Sequence, residues 1–299
     1  MARSVSVVIA TAGRPERLPS LLDDVVGQLG PDDDVWVVDQ STTAAARAGE
    51  SAVALTGDPR VRWRWRSRRG LPGARNQGVC SSSGEVVWFI DDDVRLHDGA
   101  LEAHRRAYDD PTVGGVVGRI LELRLASNAS GLVNRVDRGG RVRCNLQGTT
   151  PGEVHTLKGA NMSYRRRALA QAGPFDERYR GTSLLEDADL STRVAALGWR
   201  LLFVPEAAVD HHHDPHGGVR VADERERLAW RFRNTAYYLR RHRGWGALGP
   251  MLATQAAVAM KHVVTLRAPG ALPTWSAALR RGWTDGAEPA LQPTRGDLG

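Results

Sequence analysis

The run Val86-Val-Trp-Phe-Ile-Asp-Asp-Asp-Val94 places three consecutive carboxylates directly behind five apolar residues. Five such residues, β-branched or aromatic, read as a strand buried on both faces, the kind that a parallel sheet covered by helices requires. The chain then releases three mutually repelling charges where that strand leaves the sheet. Near a core these groups lose hydration, and a bound cation is the simplest way to make the arrangement tolerable. The alternative is a solvated strand-end turn in which Asp serves only the backbone.

The chain around this run alternates strand and helix. Ser4 to Ala10 reads as a first strand, followed by the turn Thr11-Ala-Gly-Arg-Pro15 and a helix marked by Leu18, Leu21, Leu22, Val25, Val26 and Leu29. Asp34-Val-Trp-Val-Val-Asp39 again delivers a carboxylate at the C-terminal end of a strand, where doubly wound sheets collect ligands. An Ala-rich helix over 44–57 precedes Val61-Arg-Trp-Arg-Trp-Arg. Its alternation suits a half-exposed strand with Val61, Trp63 and Trp65 inward, and the same letters would also suit base stacking on nucleic acid. The strand is the simpler account, and no nucleic-acid partner is expected. Arg69 to Gly78 is a glycine-bearing loop entering a helix near Pro72, a place where backbone donors suit a phosphate.

Beyond the acidic run, His97 to Tyr108 reads as a helix and Val113 to Leu121 as a strand, while 124–153 has little period and reads as a long loop. Lys158 to Tyr164 leads into a short Arg-rich helix. A second acidic cluster opens the helix between Ser183 and Gly198, where Ser183 with Glu186 fits a capping box, so that Glu186 has a structural account and Asp187 and Asp189 do not. Trp199 to Val204 is one more strand and Ala207 to Asp210 another, the latter delivering His211, His212 and His213. Alternation aims His211 and His213 to one side and His212 to the other; a solvated turn is the competing account. After Gly218 the composition shifts to a basic amphipathic helix, Ala222 to Arg243, with Leu228, Phe232, Thr235, Ala236 and Leu239 on its apolar stripe. A more apolar helix follows from Trp245 to about Leu266, with Gly249-Pro250 interrupting its start, then a short helical turn near Trp275 to Trp283 and a frayed tail.

A net charge of +7 and a pI near 10.1 suit an anionic partner without choosing one. Two cysteines, Cys80 and Cys144, build no disulfide framework, which points to a reducing, cytoplasmic setting. No secretory signal and no transmembrane helix is expected. Together the pieces describe an α/β sheet with carboxylates at two strand ends and one helix start. One acidic pair can hold a divalent ion bridging two phosphates, and a separate Asp can take a proton from an incoming hydroxyl.

Eight segments then resemble the family 2 glycosyltransferases with the GT-A fold, in that family's order: Val5 to Pro15, Val35 to Ser41, Gly70 to Gly78, Phe89 to Val94, Gly159 to Met162, Phe175 to Glu177, Glu186 to Leu190 and Val204 to Ala207. The resemblance, which spans residues 4 to about 213, implies a GT-A-type Rossmann-like mixed sheet over 1–217, while the helical patterning and the Gly-, Pro- and Asp-rich end behind it read as a helical C-terminal extension over 218–284 and a disordered tail over 285–299. It implies an inverting transfer from a UDP-, dTDP- or GDP-linked sugar to a saccharide, lipid-linked or small-molecule acceptor, with Mg2+ or Mn2+. By the same resemblance Asp187 is the general base, and Asp91, Asp93 and His211 approach the metal. Thr11, Asp39, Arg75, Asp91 and Asp92 would bind the nucleotide donor, while Gly159, Ala160, Asn161 and Glu186 would lie against the sugar or acceptor. Ala12 and Gln40 depart from the commoner pattern and leave the base open. The competing functions are a non-catalytic nucleotide-sugar or glycan module, a basic scaffold peripheral to the membrane and, from the Gly- and Arg-bearing turn at Thr11 to Pro15, a nucleotidyltransferase.

Overall fold

The computed structural model describes residues 3–41, 43–122, 131–212, 221 and 223–288. Its elements run β1 (Val5–Thr11), α1 (Leu18–Val26), β2 (Asp34–Asp39), α2 (Thr43–Leu55), β3 (Val61–Trp65), α3 (Leu71–Ser81), β4 (Val86–Asp91), β5 (Val94–Leu96), α4 (Ala100–Ala107), β6 (Val113–Glu122), β7 (Val133–Val136), β8 (Val142–Asn145), β9 (Gly152–Glu153), β10 (Asn161–Arg165), α5 (Arg166–Ala172), α6 (Glu186–Ala196), β11 (Arg200–His211), α7 (Glu224–Arg243), α8 (Leu248–Leu266) and α9 (Leu272–Asp285). The main sheet is ordered β3-β2-β1-β4-β10-β6-β11-β5, with β9 added beside β11. β3, β2, β1 and β4 are parallel, and β10 runs antiparallel between β4 and β6. The mixed sheet follows from the chain's own patterning. Val86 to Ile90 and Val35 to Val38 are buried on both faces because helices cover both sides, as their unbroken apolar runs require.

The structure departs from the sequence reading in several places. Trp65 is 44% exposed, because β3 is an edge strand and its last side chain reaches past the sheet to donate its indole N–H to the Ser41 carbonyl. Part of the supposed loop over 124–153 is a hairpin, with Val133 opposite Asn145 and Val136 opposite Val142. The two expected strands after Trp199 are one strand, β11, broken by a bulge: Val204 lies opposite Gly118 but Val209 already opposite Ile120. Pro205, which has no N–H for a ladder, sits inside that bulge. No capping box opens α6, since the cap position is Leu185 at φ 73° and Glu186 N–H bonds the Ser183 carbonyl rather than its hydroxyl. Gly249-Pro250 does not interrupt α8 but starts it, because a first-turn proline lacks only an N–H with no partner to lose. The last helix is longer than expected, and residues 289–299 of the supposed tail lie outside the described residues.

A main core fills both faces of the sheet, and two smaller apolar clusters join α7, α8 and α9 to one another. One of these also takes in Tyr179, Leu185 and Ala188 at the start of α6, so the C-terminal helices are packed against the element that carries the second acidic cluster.

Candidate active site

Three parallel strands end side by side at one edge of the sheet. Thr11 of β1 lies opposite Asp39 of β2, and Ala10 lies opposite Asp91 of β4. This register brings Thr11, Asp39 and Asp91 to the C-terminal strand ends.

The acidic triplet divides at the turn between β4 and β5. Asp92 turns inward and accepts hydrogen bonds from the Thr11 hydroxyl and the Arg14 guanidinium, both at 2.6 Å. Burial pushes its carboxyl up to about 6, against the opposing pull of Arg14 and Thr11. Asp91, Asp93 and His211 each offer one donor atom, and the three atoms lie within 4.8 Å of one another. Asp93 Oδ1 and His211 Nε2 stand 3.2 Å apart. β11 delivers the imidazole because its last residues pair with β5, setting His211 opposite Val94, and the His212 N–H donates to the Asp93 carbonyl at 3.0 Å. Of His211 and His212 it is therefore His211 that faces the carboxylates; His213 lies outside the described residues. Two carboxylate oxygens and an imidazole are a donor set that fits Mg2+ or Mn2+.

The second acidic cluster meets the first through one arginine. Arg75 of α3 is buried and ion-paired with Glu186, and it donates to the Gly159 carbonyl at 3.0 Å and to Asp91 Oδ1 at 3.3 Å. Burial drives Glu186 up to about 8, with Arg75 opposing. Burial likewise disfavours the charged Arg75, yet Glu186, Asp91 and Asp187 together hold its pKa above the ordinary value. A Cβ on Gly159 would stand 2.5 Å from the Arg75 guanidinium, so this approach needs glycine. Asp187, half-buried in the first turn of α6, accepts the Gly159 N–H at 3.0 Å. It borders a cavity of about 410 Å³ lined also by Cys144, Asn145, Lys158 and Leu184. A cavity of about 640 Å³ behind the hairpin shares Val136 and Thr156 with it but holds none of the expected site residues.

Three expectations change at this level of detail. Asp92 is engaged by Thr11 and Arg14 inside the protein, so it braces the turn rather than reaching into the cleft, and the Thr11 hydroxyl hydrogen is committed to it. Asn161 is fully buried and its amide is spent: Oδ1 accepts from Trp88 Nε1 and His104 Nε2, and Nδ2 donates to the Ala207 carbonyl. It lies beneath the cleft without a polar atom to offer a sugar. Arg75 is committed to Glu186 and Gly159, as a strut between the two acidic clusters. Asp39 is buried, with Oδ1 accepting the Ser41 N–H at 2.7 Å, and Ala160 is buried as well. Sequence reasoning missed Arg14, which reaches Asp92 and Asp93, and Lys158, which pairs with Glu122 at the wall of the Asp187 cavity. Arg14 carried a signal, since it sits in the turn directly behind the first strand.

A mixed sheet of this order, with metal-capable side chains at its parallel strand ends and an Asp at the neighbouring cavity, has the architecture of a GT-A glycosyltransferase. Residues 6–173 match the family model described as Glycosyl transferase family 2, and the chain belongs to that family. It is 33% identical over 149 residues to the pre-mycofactocin glycosyltransferase of Mycobacterium tuberculosis, covering 48% of this chain and 30% of that protein. It is 40% identical over 93 residues to the N-acetylglucosaminyl-diphospho-decaprenol L-rhamnosyltransferase of the same organism, covering 31% and 29%. The chain thus spans less than a third of the length of these curated relatives. Among solved structures, its fold resembles S. aureus TarS 1–349 in complex with UDP-GlcNAc, at TM-score 0.65 and 17% identity over 93% of this chain and 80% of that one. It also resembles the mannosyltransferase PcManGT of Pyrobaculum calidifontis in complex with GDP-Man and Mn2+, at TM-score 0.59 and 20% identity over 96% and 77%.

Proposed function

We propose that this glycosyltransferase moves a sugar, with inversion at the anomeric carbon, from a nucleoside-diphosphate sugar to an acceptor hydroxyl. The observation that carries the reading is the single guanidinium of Arg75. It links the Asp91 side of an Asp-Asp-His cluster to the Glu186-Asp187 start of α6, so the groups suited to donor and acceptor chemistry belong to one cleft. The nucleotide sugars and Mn2+ bound by the structural relatives support the same assignment of the cleft.

Asp91, Asp93 and His211 would hold Mg2+ or Mn2+, which when bound neutralises charge on the departing diphosphate. Asp187 takes the proton of the acceptor hydroxyl as its oxygen bonds to the anomeric carbon. The bond from that carbon to the diphosphate oxygen breaks, and its electron pair leaves with the nucleoside diphosphate. The Gly159 N–H, bonded to Asp187, fixes the orientation of the base, and both substrates are held together before reaction. No protein nucleophile takes part, so a single displacement inverts the centre.

Asp187→Asn leaves one oxygen that can accept the Gly159 N–H, gives up the acceptor of the Ala188 N–H and removes the basic carboxylate. It is expected to lower transfer by about 10² to 10⁴-fold with Mn2+-dependent donor binding intact by calorimetry. Near-normal transfer by that variant would sink the assignment. Metal-stimulated hydrolysis of UDP-, dTDP- and GDP-sugars, compared in parallel, identifies the nucleotide.

A further inference from the structure

The positive charge of this chain is not spread over it. From Arg227 to Thr284 the sequence has ten of the 41 basic residues and none of the 34 acidic ones, so this segment alone accounts for the whole surplus. It takes in α7 from its fourth residue, all of α8, and α9 up to the residue before its last, so that Glu224, Glu226 and Asp285 at the helix ends lie just outside it. Of these, α8 is apolar on faces that point in opposite directions. Met251, Gln255 and Ala259 are buried against the neighbouring helices, while Leu252, Met260 and Val264 are 51%, 57% and 71% exposed. Ala253, Ala256 and Ala257 are exposed between them, which completes an apolar face at helical spacing. A helix apolar all round is ordinarily covered all round, and nothing among the described residues covers this side.

We propose that the outward face of α8 docks on an anionic lipid bilayer. Lys261 borders the face, and Arg267, Arg280 and Arg281 of the same helical layer are exposed without an ion pair among the described residues. Trp245, 66% exposed, packs edge-on to Trp283, and the Arg240 guanidinium lies 4.8 Å and 5.5 Å from the two rings. An apolar stripe bordered by Lys261 and followed by Arg267, in a helical layer that also exposes arginines and a tryptophan, matches the acyl and headgroup layers of such a surface. The charge argues against a second copy as the occupant, since pairing two such faces brings only cations together. None of the described helices is long and apolar enough to cross a membrane, so α8 lies along the interface. Docking there also orients the cleft. Gln255 of α8 donates to the Gly139 carbonyl at the tip of the β7–β8 hairpin, and Val136 and Val142 of that hairpin line the cavity bordered by Asp187.

The test is co-sedimentation of the full chain with phosphatidylglycerol–phosphatidylcholine vesicles and with phosphatidylcholine vesicles. Binding is expected only to the anionic vesicles, weakening as salt is raised. Met260→Glu with Val264→Glu should weaken it roughly tenfold or more. The same variant should keep wild-type melting and metal-stimulated donor hydrolysis, because neither residue touches the cleft. Absence of binding at low salt overturns the proposal, as does equal binding by the variant. Light scattering that shows self-association abolished by the two substitutions would also overturn it, assigning the face to a second copy.

Discussion

Arg75 shows how much of the site depends on a pairing that no local pattern reveals. Its partner Glu186 is 111 residues away in the chain, and the pair is buried where an uncompensated charge is costly. Arg75→Met is expected to lower unfolding stability by about 3 to 5 kcal/mol in urea titrations. Adding Glu186→Leu should recover most of that loss, since an apolar pair needs no compensation, while donor turnover stays impaired. If the double variant is no more stable than the single one, the pair is not what holds α3 to α6. The acidic residues themselves were legible, because a strand end and a helix start need no such density of carboxylates. Their division of labour was not. Which of Asp91, Asp92 and Asp93 faces inward depends on Thr11 and Arg14, brought there by β1. Likewise Asn161 stands in a run that resembles a substrate loop, yet the carbonyl, indole and imidazole that consume its amide come from β11, β4 and α4.

At the level of elements, the strands buried on both faces were readable because an unbroken apolar run leaves few alternatives. The hairpin was not, since Val133-Asn-Arg-Val and Val142-Arg-Cys-Asn carry neither clear alternation nor a two-residue turn signal. The bulge in β11 was hidden as well, because it exists only in register with β6. That bulge brings the Ala207 carbonyl onto Gly118, where an added Cβ would meet the carbonyl oxygen at 2.0 Å and the Asn161 amide at 2.2 Å. Backbone cannot yield there as a side-chain tip would. Gly118→Ala should therefore cost about 3 kcal/mol and shift the end of β11, weakening Mn2+ binding at His211 as measured by calorimetry. Gly148→Ala, where a Cβ meets nothing within 4 Å, serves as the control and should leave both unchanged. Equal melting temperatures for the two variants would show that the bulge is pliable.

For the whole molecule, the shift of composition after Gly218 suggested a boundary, but packing across it is close. Tyr237 of α7 donates to Asp176 at 2.6 Å and meets Tyr179 edge-on, with ring centroids 5.0 Å apart. Asp189 of α6, completely buried, accepts from Arg193 of its own helix and from His242 of α7, with Arg241 at 3.4 Å. Burial by itself would raise both carboxyls. Arg178 and Tyr237 at Asp176, and His242 and Arg193 at Asp189, outweigh it, and both pKa values fall below the ordinary 3.8. A carboxyl depressed by folding adds stability that is complete above its unfolded value and drains away as pH falls through that value toward the folded one. Both carboxyls act at the same junction. Heating at neutral pH should consequently give one calorimetric transition for the sheet and the C-terminal helices together. Below about pH 3.8 the junction should weaken before the apolar core of the sheet, splitting the transition in two, with amide exchange rising first in α7. Two transitions already present at neutral pH would mean that the helices fold as a separate unit and that these buried carboxylates do not couple them to the cleft.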